Sequence, residues 1–358
     1  LVNFNNQLFS QTHSFRHFTT EDGLPSSEVH DVAQDDNGYM WFATDRGLVR
    51  FDGYDFETYT TEDGLTDNVL LHLFKDSNGK IWYAGYSGDL GYIKDKKIHA
   101  YKFNPLIQDV LKSPLIYSIH IDPNEKVCIG TATSGYIEID AFGHFVVDTN
   151  RRHFYNIKES KFGNTFYRRG TAWNEQTDTS LINLTRENGE QTLIFHKNND
   201  RVSKINAVSS TMEDGTLFIA INNNAYQIKD QTTVPFYTAK ERIIWIKIIH
   251  NQLWVSCINE GITIIDIATQ KLIKKNMYQP MTITSFLFDQ EKSLWLTTYK
   301  SGVMLLSNNE HQSLSIHTPE TEPAVIDIKT VDNHLFLMTD DYKVYNYDSK
   351  KHQLTEII

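Results

Sequence analysis

Short apolar runs alternate with polar turns along the whole chain. The first set comprises four strand-like runs, separated by Asp-Asn-Gly, Gly47 and Asp-Gly turns: Val29–Gln34, Met40–Thr44, Leu48–Phe51 and Phe56–Tyr59. Four β-rich runs with a turn signal every few residues, repeating at ~40 residues, are typical of one blade of a β-propeller. A helical repeat would need two amphipathic stretches of ~10–15 residues, and none is found. The pattern therefore predicts an all-β propeller of four-stranded antiparallel blades.

The pattern returns at a spacing of 41 residues. Phe18-Thr-Thr-Glu-Asp-Gly-Leu24 recurs as Tyr59-Thr-Thr-Glu-Asp-Gly-Leu65, and the Asp-Asn-Gly turn before Trp41 recurs as Ser-Asn-Gly before Trp82. Weaker copies follow. The same position of the repeat, which we call the apolar slot, is occupied by an apolar residue in all seven copies: Trp41, Trp82, Cys128, Phe218, Trp254, Trp295 and Phe336. An internal repeat of this length indicates a ring of similar units.

Seven copies favour seven blades in one domain over residues 1–358, and eight remains an alternative. The interval between Cys128 and Phe218 is 90 residues, so residues 141–205 hold either an irregular insertion or a degenerate blade. One short helix is predicted over Asn104–Leu111, with Asn104 as its N-cap and Pro105 in its first turn.

Phe15–Phe18 precedes the first Glu-Asp-Gly-Leu as Phe56–Tyr59 precedes the second, which places it in the outer-strand slot of a blade. The C-terminal unit, residues 325–348, is the expected supplier of the other three strands. The two chain ends would then share one sheet, and this pairing would close the ring. Residues 352–358 compete for the same slot.

An apolar position repeated in every blade predicts packing between blades, so the tryptophans of this slot are expected in the core. The Asp-Asn-Gly segments suggest a metal site, but tight turns explain them more simply, since no downstream Glu completes a calcium loop. Cys128 and Cys257 lack ligand or disulfide spacing and are expected in the core. Neither a metal nor a cofactor is predicted.

Charge narrows the range of partners. The 358 residues carry 34 Lys and Arg against 45 Asp and Glu, a net charge of −11 with neutral His. No overall positive field would attract a nucleic acid backbone, so nucleic acid is not an expected partner. With 40% hydrophobic residues the chain can bury a sizeable core, and no apolar stretch approaches the ~20 residues of a membrane helix.

Strand alternation predicts where recognition would occur. The loop entering the inner strand and the loop between the second and third strands lie on one face, which we call the front face; the Asp-Asn-Gly turns lie on the rear face. Front-face loops differ between blades while the strands do not, and such loops are the usual place for binding. The candidate ligand-binding residues on these loops are Asp45, Arg46, Tyr86, Asn223, Glu260, Tyr299, Lys300 and Tyr342.

A second candidate group lies within residues 141–205. Trp173 stands outside the repeated slot, with Arg168 and Arg169 close by in the sequence. An aromatic ring with two guanidinium groups can stack on a ligand ring and hold an anion, although such groups also serve to hold an insertion against the fold.

Residues 17–90, with Glu-Asp-Gly-Leu-Pro-Ser, Asp-Asp-Asn-Gly-Tyr-Met-Trp-Phe-Ala-Thr and Arg-Gly-Leu-Val-Arg-Phe-Asp-Gly, closely resemble the two-component regulator propeller repeats; residues 245–348 resemble them less closely. These repeats form the extracytoplasmic sensor of membrane histidine kinases, many of them in Bacteroidetes and some of them hybrid. The resemblance implies a periplasmic part of an inner-membrane protein, followed by an immunoglobulin-like module, a membrane helix and a cytoplasmic kinase.

The function expected from the resemblance is ligand sensing, by a monomer or a homodimer, with a small molecule or an oligosaccharide as the ligand. No kinase box, G-x-S-x-G, H-E-x-x-H or P-loop is present, so no catalytic residue is assigned. Two alternatives stay open. The first is a secreted propeller hydrolase or lyase acting on glycans, suggested by the Asp-x-x-Gly-x-x-Trp turns, and the second is a scaffold for protein interactions.

Overall fold

A computed structural model describes residues 15–94, 96–111, 116–131, 136–148, 157–160, 163–174, 179–186, 191–197, 207–212, 214–229, 232–307, 324–331, 334–348 and 353–357. The chain divides into two compact units, and each is considered by itself. One is His17–Leu305; the other joins Leu306–Ile358 with Leu1–Arg16.

Seven four-stranded antiparallel sheets make up the first unit among the described residues. The chain begins with β1 (Arg16–Phe18). Blade 1 holds β2 (Val29–Gln34), β3 (Met40–Thr44), β4 (Gly47–Phe51) and β5 (Phe56–Tyr59); blade 2 holds β6 (Leu70–Lys75), β7 (Ile81–Gly85), β8 (Leu90–Lys94) and β9 (Lys97–Ala100); blade 3 holds β10 (Ile116–Ile121), β11 (Val127–Thr131), β12 (Tyr136–Ile139) and β13 (Phe145–Asp148).

The remaining four blades follow the same order. Blade 4 holds β14 (Ile157–Ser160), β15 (Gly163–Asn174), β16 (Thr179–Arg186) and β17 (Gln191–Lys197); blade 5 holds β18 (Ala207–Thr211), β19 (Leu217–Ile221), β20 (Asn224–Lys229) and β21 (Thr232–Thr238); blade 6 holds β22 (Ile243–Ile249), β23 (Gln252–Cys257), β24 (Gly261–Asp266) and β25 (Leu272–Met277); blade 7 holds β26 (Ile283–Phe288), β27 (Leu294–Thr298), β28 (Val303–Leu306) and β1.

The fold is a β-propeller, as predicted, and its ring has seven blades. Inner strands of neighbouring blades contact one another, β10 with β14, β18 with β22 and β22 with β26, and β2 of blade 1 contacts both β6 and β26. A side chain on one inner strand also bonds to the next: the Leu73 N–H donates to Asp31 Oδ2 at 2.9 Å. The blade that the sequence pattern failed to resolve is blade 4, within residues 141–205. The predicted extent of the domain, residues 1–358, stays a prediction.

As predicted, a strand from the N-terminal end of the chain closes the ring, but it pairs with a different segment from the one expected. β1 is the outermost strand of the sheet formed by residues 283–306, so the expectation that residues 325–348 supply that sheet is wrong. The reason is that blade 4 completes the ring without the C-terminal unit. Residues 325–348 instead take Gln353–Glu356 as their fourth strand, which agrees with the competing use of residues 352–358.

The second unit contains one sheet among its described residues: β29 (Val325–Val331), β30 (His334–Thr339), β31 (Val344–Asp348) and β32 (Gln353–Glu356). The apolar residues of its inner strand are exposed to solvent: Val325 is 40% exposed and Ile328 59%. Val29 and Val32, at the equivalent positions of blade 1, are 0% and 6% exposed. Phe336, predicted for the core slot, is therefore only half-buried.

The tryptophan slot is core, as predicted. Trp41, Trp82, Trp254 and Trp295 are all less than a tenth exposed, and so are Cys128, Phe218 and Cys257. The Asp before each turn explains the repeated spacing of Asp and Trp. Asp35 Oδ1 accepts the N–H groups of Asn37 and Tyr39, and Oδ2 accepts the indole N–H of Trp41 at 2.9 Å. The same arrangement recurs at Asp76 with Trp82 and at Asp289 with Trp295.

The predicted helix is present as α1 (Asn104–Val110), with Pro105 in its first turn. Its N-cap is Phe103, so the assignment of Asn104 as the N-cap is wrong. The Asn104 amide bonds instead to both backbone groups of Leu90, accepting from its N–H at 3.0 Å and donating to its carbonyl at 2.8 Å. That pairing fastens the helix to β8, and the amide oxygen is no longer available to cap the helix.

Candidate functional site

The inner strands β2, β6, β22 and β26 each carry a β-bulge near their first residue. The register shifts between Val29 and Asp31, between Leu70 and His72, between Ile243 and Trp245, and between Ile283 and Ser285. A bulge inserts one extra residue and redirects its side chain. The extra residues are His30, Leu71, Ile244 and Thr284, and all four line the same cleft. Four blades therefore build this site by one repeated device.

The cleft lies on the front face, where the inner strands begin, and its volume is about 760 Å³. Sites for small ligands fall in the range of ~300–1,000 Å³ and combine apolar walls with a few polar groups. Leu71, Ile244, Ile258, Pro280 and Met281 form its apolar part, and His30, His72, Asn259, Thr282, Thr284, Tyr299, Lys300 and Ser301 its polar part.

Hydrogen bonds fix the rim of the cleft. Thr282 Oγ1 accepts the Asn259 N–H at 2.9 Å and donates to Asn259 Oδ1 at 3.2 Å. The backbone carbonyl of Thr282 accepts the Tyr299 N–H at 3.0 Å. Thr282 thus ties the front-face loops of blades 6 and 7 together. These bonds also show that the loop entering an inner strand and the loop between the second and third strands lie on one face, as strand alternation predicts.

Burial lowers the pKa values of the two histidines of the cleft. Loss of solvent lowers the pKa of His30 below its usual value, although the Asp45 carboxylate opposes this effect. Burial also lowers the pKa of His72, against the opposing influences of the Asp31 carboxylate and a hydrogen bond with the backbone of Ile116. Burial and the Asp45 charge raise the pKa of Glu28, and the positive charge of Lys300 lowers it.

These shifts predict that the folded protein loses stability on mild acidification. The unfolded chain takes up protons at its histidines as the pH falls through ~6.5, whereas the folded His30 and His72 resist protonation until a lower pH, so the free energy of unfolding decreases over this interval. Each pKa unit of difference corresponds to about 1.36 kcal/mol. Melting temperatures between pH 7.5 and 5.0 should show a shallower decline for His72→Gln than for the native chain. Equal slopes for the native chain and His72→Gln would contradict the assignment.

The structure brings together part of the predicted set of binding residues. Tyr299 and Lys300 line the cleft. Asp45 does not line the cleft, although its charge raises the pKa values of Glu28 and His30. Glu260 follows Asn259 in the same loop but is only 8% exposed, so little of it is accessible to a ligand.

The other predicted residues lie elsewhere or have other roles. Arg46 and Tyr86 are exposed and do not line the cleft. Asn223 Nδ2 donates to the Ala239 carbonyl at 3.1 Å, which is a structural role. Tyr342 belongs to the second unit. Arg168, Arg169 and Trp173 lie on β15, and their side chains are outside the described residues.

Sequence reasoning missed the inner-strand residues His30, Leu71, His72, Ile244 and Thr284. Each stands one or two positions after the apolar residue that begins an inner strand, and strict alternation would place these two positions on opposite faces of the sheet. The bulge breaks that alternation, and no residue type marks it in the sequence.

Comparison with known proteins agrees with the resemblance. Residues 23–46 match the family described as Two component regulator propeller. No curated protein matches the chain. The matched residues lie within residues 17–90, the part of the chain that resembles these repeats most closely. Among the described residues, no helix is both long enough and apolar enough to cross a membrane.

Solved structures share the fold. One is named as the extracellular domain of hybrid two component system BT3049 from B. thetaiotaomicron, with a TM-score of 0.65 and 19% identity over 96% of this chain and 49% of that one. Another, named as the extracellular domain of one component system BT4673 from the same organism, has a TM-score of 0.61 and 19% identity over 91% and 46%. A streptogramin B lyase has a TM-score of 0.59 and 15% identity over 82% and 96%. The chain spans about half the length of the two extracellular domains.

Proposed function

We propose that this chain, a seven-bladed propeller carrying the two component regulator propeller repeat, is the ligand-sensing part of a two-component sensor. The observation that supports the proposal best is the front-face cleft, to which four blades contribute one bulged residue each. A ligand held there touches several blades at once. It can therefore favour one arrangement of the ring over another, which is what a signal requires, because a ligand shifts an equilibrium only through different affinities for its two states.

The wider setting follows from the same proposal. The ring acts outside the cytoplasm as part of an inner-membrane protein, alone or as a homodimer, and passes its signal to an immunoglobulin-like module and a histidine kinase outside this chain. Support comes from the repeat at residues 23–46 and from the similarity of fold to structures named as extracellular domains of two component systems. The chain covers only 49% and 46% of those domains, which leaves room for further parts.

Filling the cleft should abolish ligand binding without unfolding the ring. Leu71→Trp adds an indole at a bulged, partly exposed position, where the ring occupies the space of the ligand. A thermal-shift screen of the native chain against glycans, peptides and metal ions should identify a ligand, and calorimetry should show at least a tenfold loss of affinity in Leu71→Trp. In the complete sensor, the same change should remove the ligand-dependent output.

Leu272→Trp is the matched control, since Leu272 is 50% exposed on β25, the outermost strand of blade 6. It should bind as the native chain does. Ligand binding that survives Leu71→Trp unchanged would place the site elsewhere. An absence of response to every glycan class would reject the oligosaccharide expected from the resemblance, while a response to another class would keep the sensor proposal.

A further inference from the structure

The cleft carries a positive charge that has no partner. Lys300 lines it, and no aspartate or glutamate is among the described lining residues. Glu28 lies 3.5 Å from the ring of His30 but does not line the cleft, and it forms no ion pair with Lys300 within 4.0 Å. At pH 8, where histidine is uncharged, Lys300 is the single charge among these lining residues. Charge complementarity therefore favours a ligand with one negative charge.

An amide with unused donors belongs to the same rim. Asn259 Oδ1 accepts a hydrogen bond from Thr282 Oγ1 at 3.2 Å, whereas the Asn259 NH₂ group has no acceptor among the described residues. Thr282 also accepts the Asn259 N–H on its hydroxyl and the N–H of Tyr299, the residue before Lys300, on its carbonyl. One residue thus anchors both loops. A carboxylate has two oxygens, and an ammonium group and an amide N–H can each donate to one of them.

The rest of the cleft offers few partners to a polar ligand. The hydroxyl of Thr282 is engaged with Asn259, and the hydroxyl of Thr284 donates to the Val29 carbonyl. The hydroxyl groups of a sugar placed on the apolar wall would lose water without gaining partners. That wall is aliphatic, and it consists of Leu71, Ile244, Ile258, Pro280 and Met281. The cleft therefore favours an aliphatic ligand body over a sugar.

The charged and the apolar parts of the cleft stand on different elements. Lys300 and Asn259 belong to the loops between the second and third strands of blades 7 and 6. Leu71 and Ile244 are bulged residues of the inner strands β6 and β22, which lie closer to the centre of the ring. A ligand that satisfies both parts has its charged group at the rim and its apolar body directed inward.

We propose that the cleft binds an aliphatic monocarboxylate, with its carboxylate on Lys300 and Asn259 and its hydrocarbon chain on Leu71 and Ile244. The inference rests on the proposed function and names the ligand class of the same site. A chain that runs from blades 6 and 7 to β6 of blade 2 contacts three blades at once. The carboxylate sets the orientation of the ligand, and the length of the chain sets how much aliphatic surface is buried.

Calorimetry at pH 8 with octanoate and octanamide tests the charged contact. The native chain should bind octanoate at least tenfold more tightly than octanamide, which has the same chain and no charge. Lys300→Gln should weaken binding of octanoate at least tenfold and should hardly change binding of octanamide, which also shows that the variant is folded. Lys292→Gln, an exposed rear-face lysine, is the matched control and should bind octanoate normally.

A series from butanoate to octanoate tests the apolar contact. A fully buried methylene group contributes about a fourfold gain in affinity, and the aliphatic wall is half-buried, so each added methylene should raise the affinity about two- to fourfold. Leu71→Trp should abolish binding of octanoate, which distinguishes the cleft from the exposed apolar residues of the second unit.

The outcomes separate the two proposals. Equal binding of octanoate and octanamide, undiminished binding in Lys300→Gln, or an affinity independent of chain length overturns the monocarboxylate. Binding of a glycan or a peptide but not of octanoate, abolished by Leu71→Trp, also overturns it and leaves the sensing cleft intact. Absence of any ligand whose binding depends on Leu71 overturns both proposals.

Discussion

Replacing Phe18 with alanine should lower the free energy of unfolding by about 3–5 kcal/mol, the usual cost of removing a buried phenylalanine ring. Phe18 is 1% exposed although it stands almost at the start of the described chain. Its ring stacks on Trp295 with 5.9 Å between centroids and contacts Phe51 and Phe56 edge-on at 5.1 and 5.4 Å. It thus joins blade 7, which β1 completes, to blade 1, and its loss opens a cavity at the closure of the ring.

Urea denaturation measures this loss, and Phe15→Ala provides the control. Phe15 is 45% exposed in the same N-terminal stretch, so its truncation should change the free energy of unfolding by no more than about 0.5 kcal/mol. Similar effects for the two variants would contradict the role of β1 in closing the ring. Since the closing strand joins sequence-distant parts of the ring, we also expect Phe18→Ala to lower the urea midpoint without a second transition.

The repeat allowed the blades to be predicted but not the completion of the ring. The Asp and Trp of each strong copy identify a blade in the sequence. The Asp carboxylate accepts a hydrogen bond from the indole N–H of the Trp, and this contact requires a fixed spacing between the two residues. Blades 3, 5 and 6 lack this pair but keep the apolar residue at its repeated position, whereas blade 4 has no recognisable copy of either, so the sequence of residues 141–205 fits an insertion as well as a degenerate blade. Because the sequence pattern does not identify blade 4, it predicts residues 325–348 as a blade of the ring. It therefore gives Phe15–Phe18 the wrong partner.

The sequence allowed the face that carries the candidate cleft to be predicted, but not most of the residues that line it. Tyr299 and Lys300 were found because they stand on loops that strand alternation places on the front face. His30 and Thr284 were not found, because their position depends on a bulge, which arises from pairing with the neighbouring strand and not from local composition. Asn223 stays a prediction; its bond to a backbone carbonyl could not be foreseen, because a turn asparagine bonded in this way has the same sequence context as one facing solvent.

Asp76→Ala should destabilise the protein by about 1–3 kcal/mol more than Asp122→Ala, although both aspartates open the same kind of turn. Asp76 Oδ1 accepts the N–H groups of Asn78 and Lys80, and Asp122 Oδ1 accepts those of Asn124 and Lys126. Only Asp76 also accepts an indole N–H, from Trp82 at 2.9 Å, since Cys128 stands in that slot after Asp122. The difference is the cost of leaving that buried N–H without an acceptor.

A double-mutant cycle isolates this bond from the rest of the turn. Trp82→Phe removes the indole N–H, so in the native background it breaks the bond, whereas after Asp76→Ala it removes a donor that has already lost its acceptor. Trp82→Phe should therefore cost about 1–3 kcal/mol less in the Asp76→Ala background than in the native one, as measured by urea denaturation. Equal costs in the two backgrounds would mean that the pair is uncoupled. The 41-residue recurrence of Asp and Trp would then reflect turn formation and core filling separately, and the carboxylate would no longer explain why tryptophan occupies the slot.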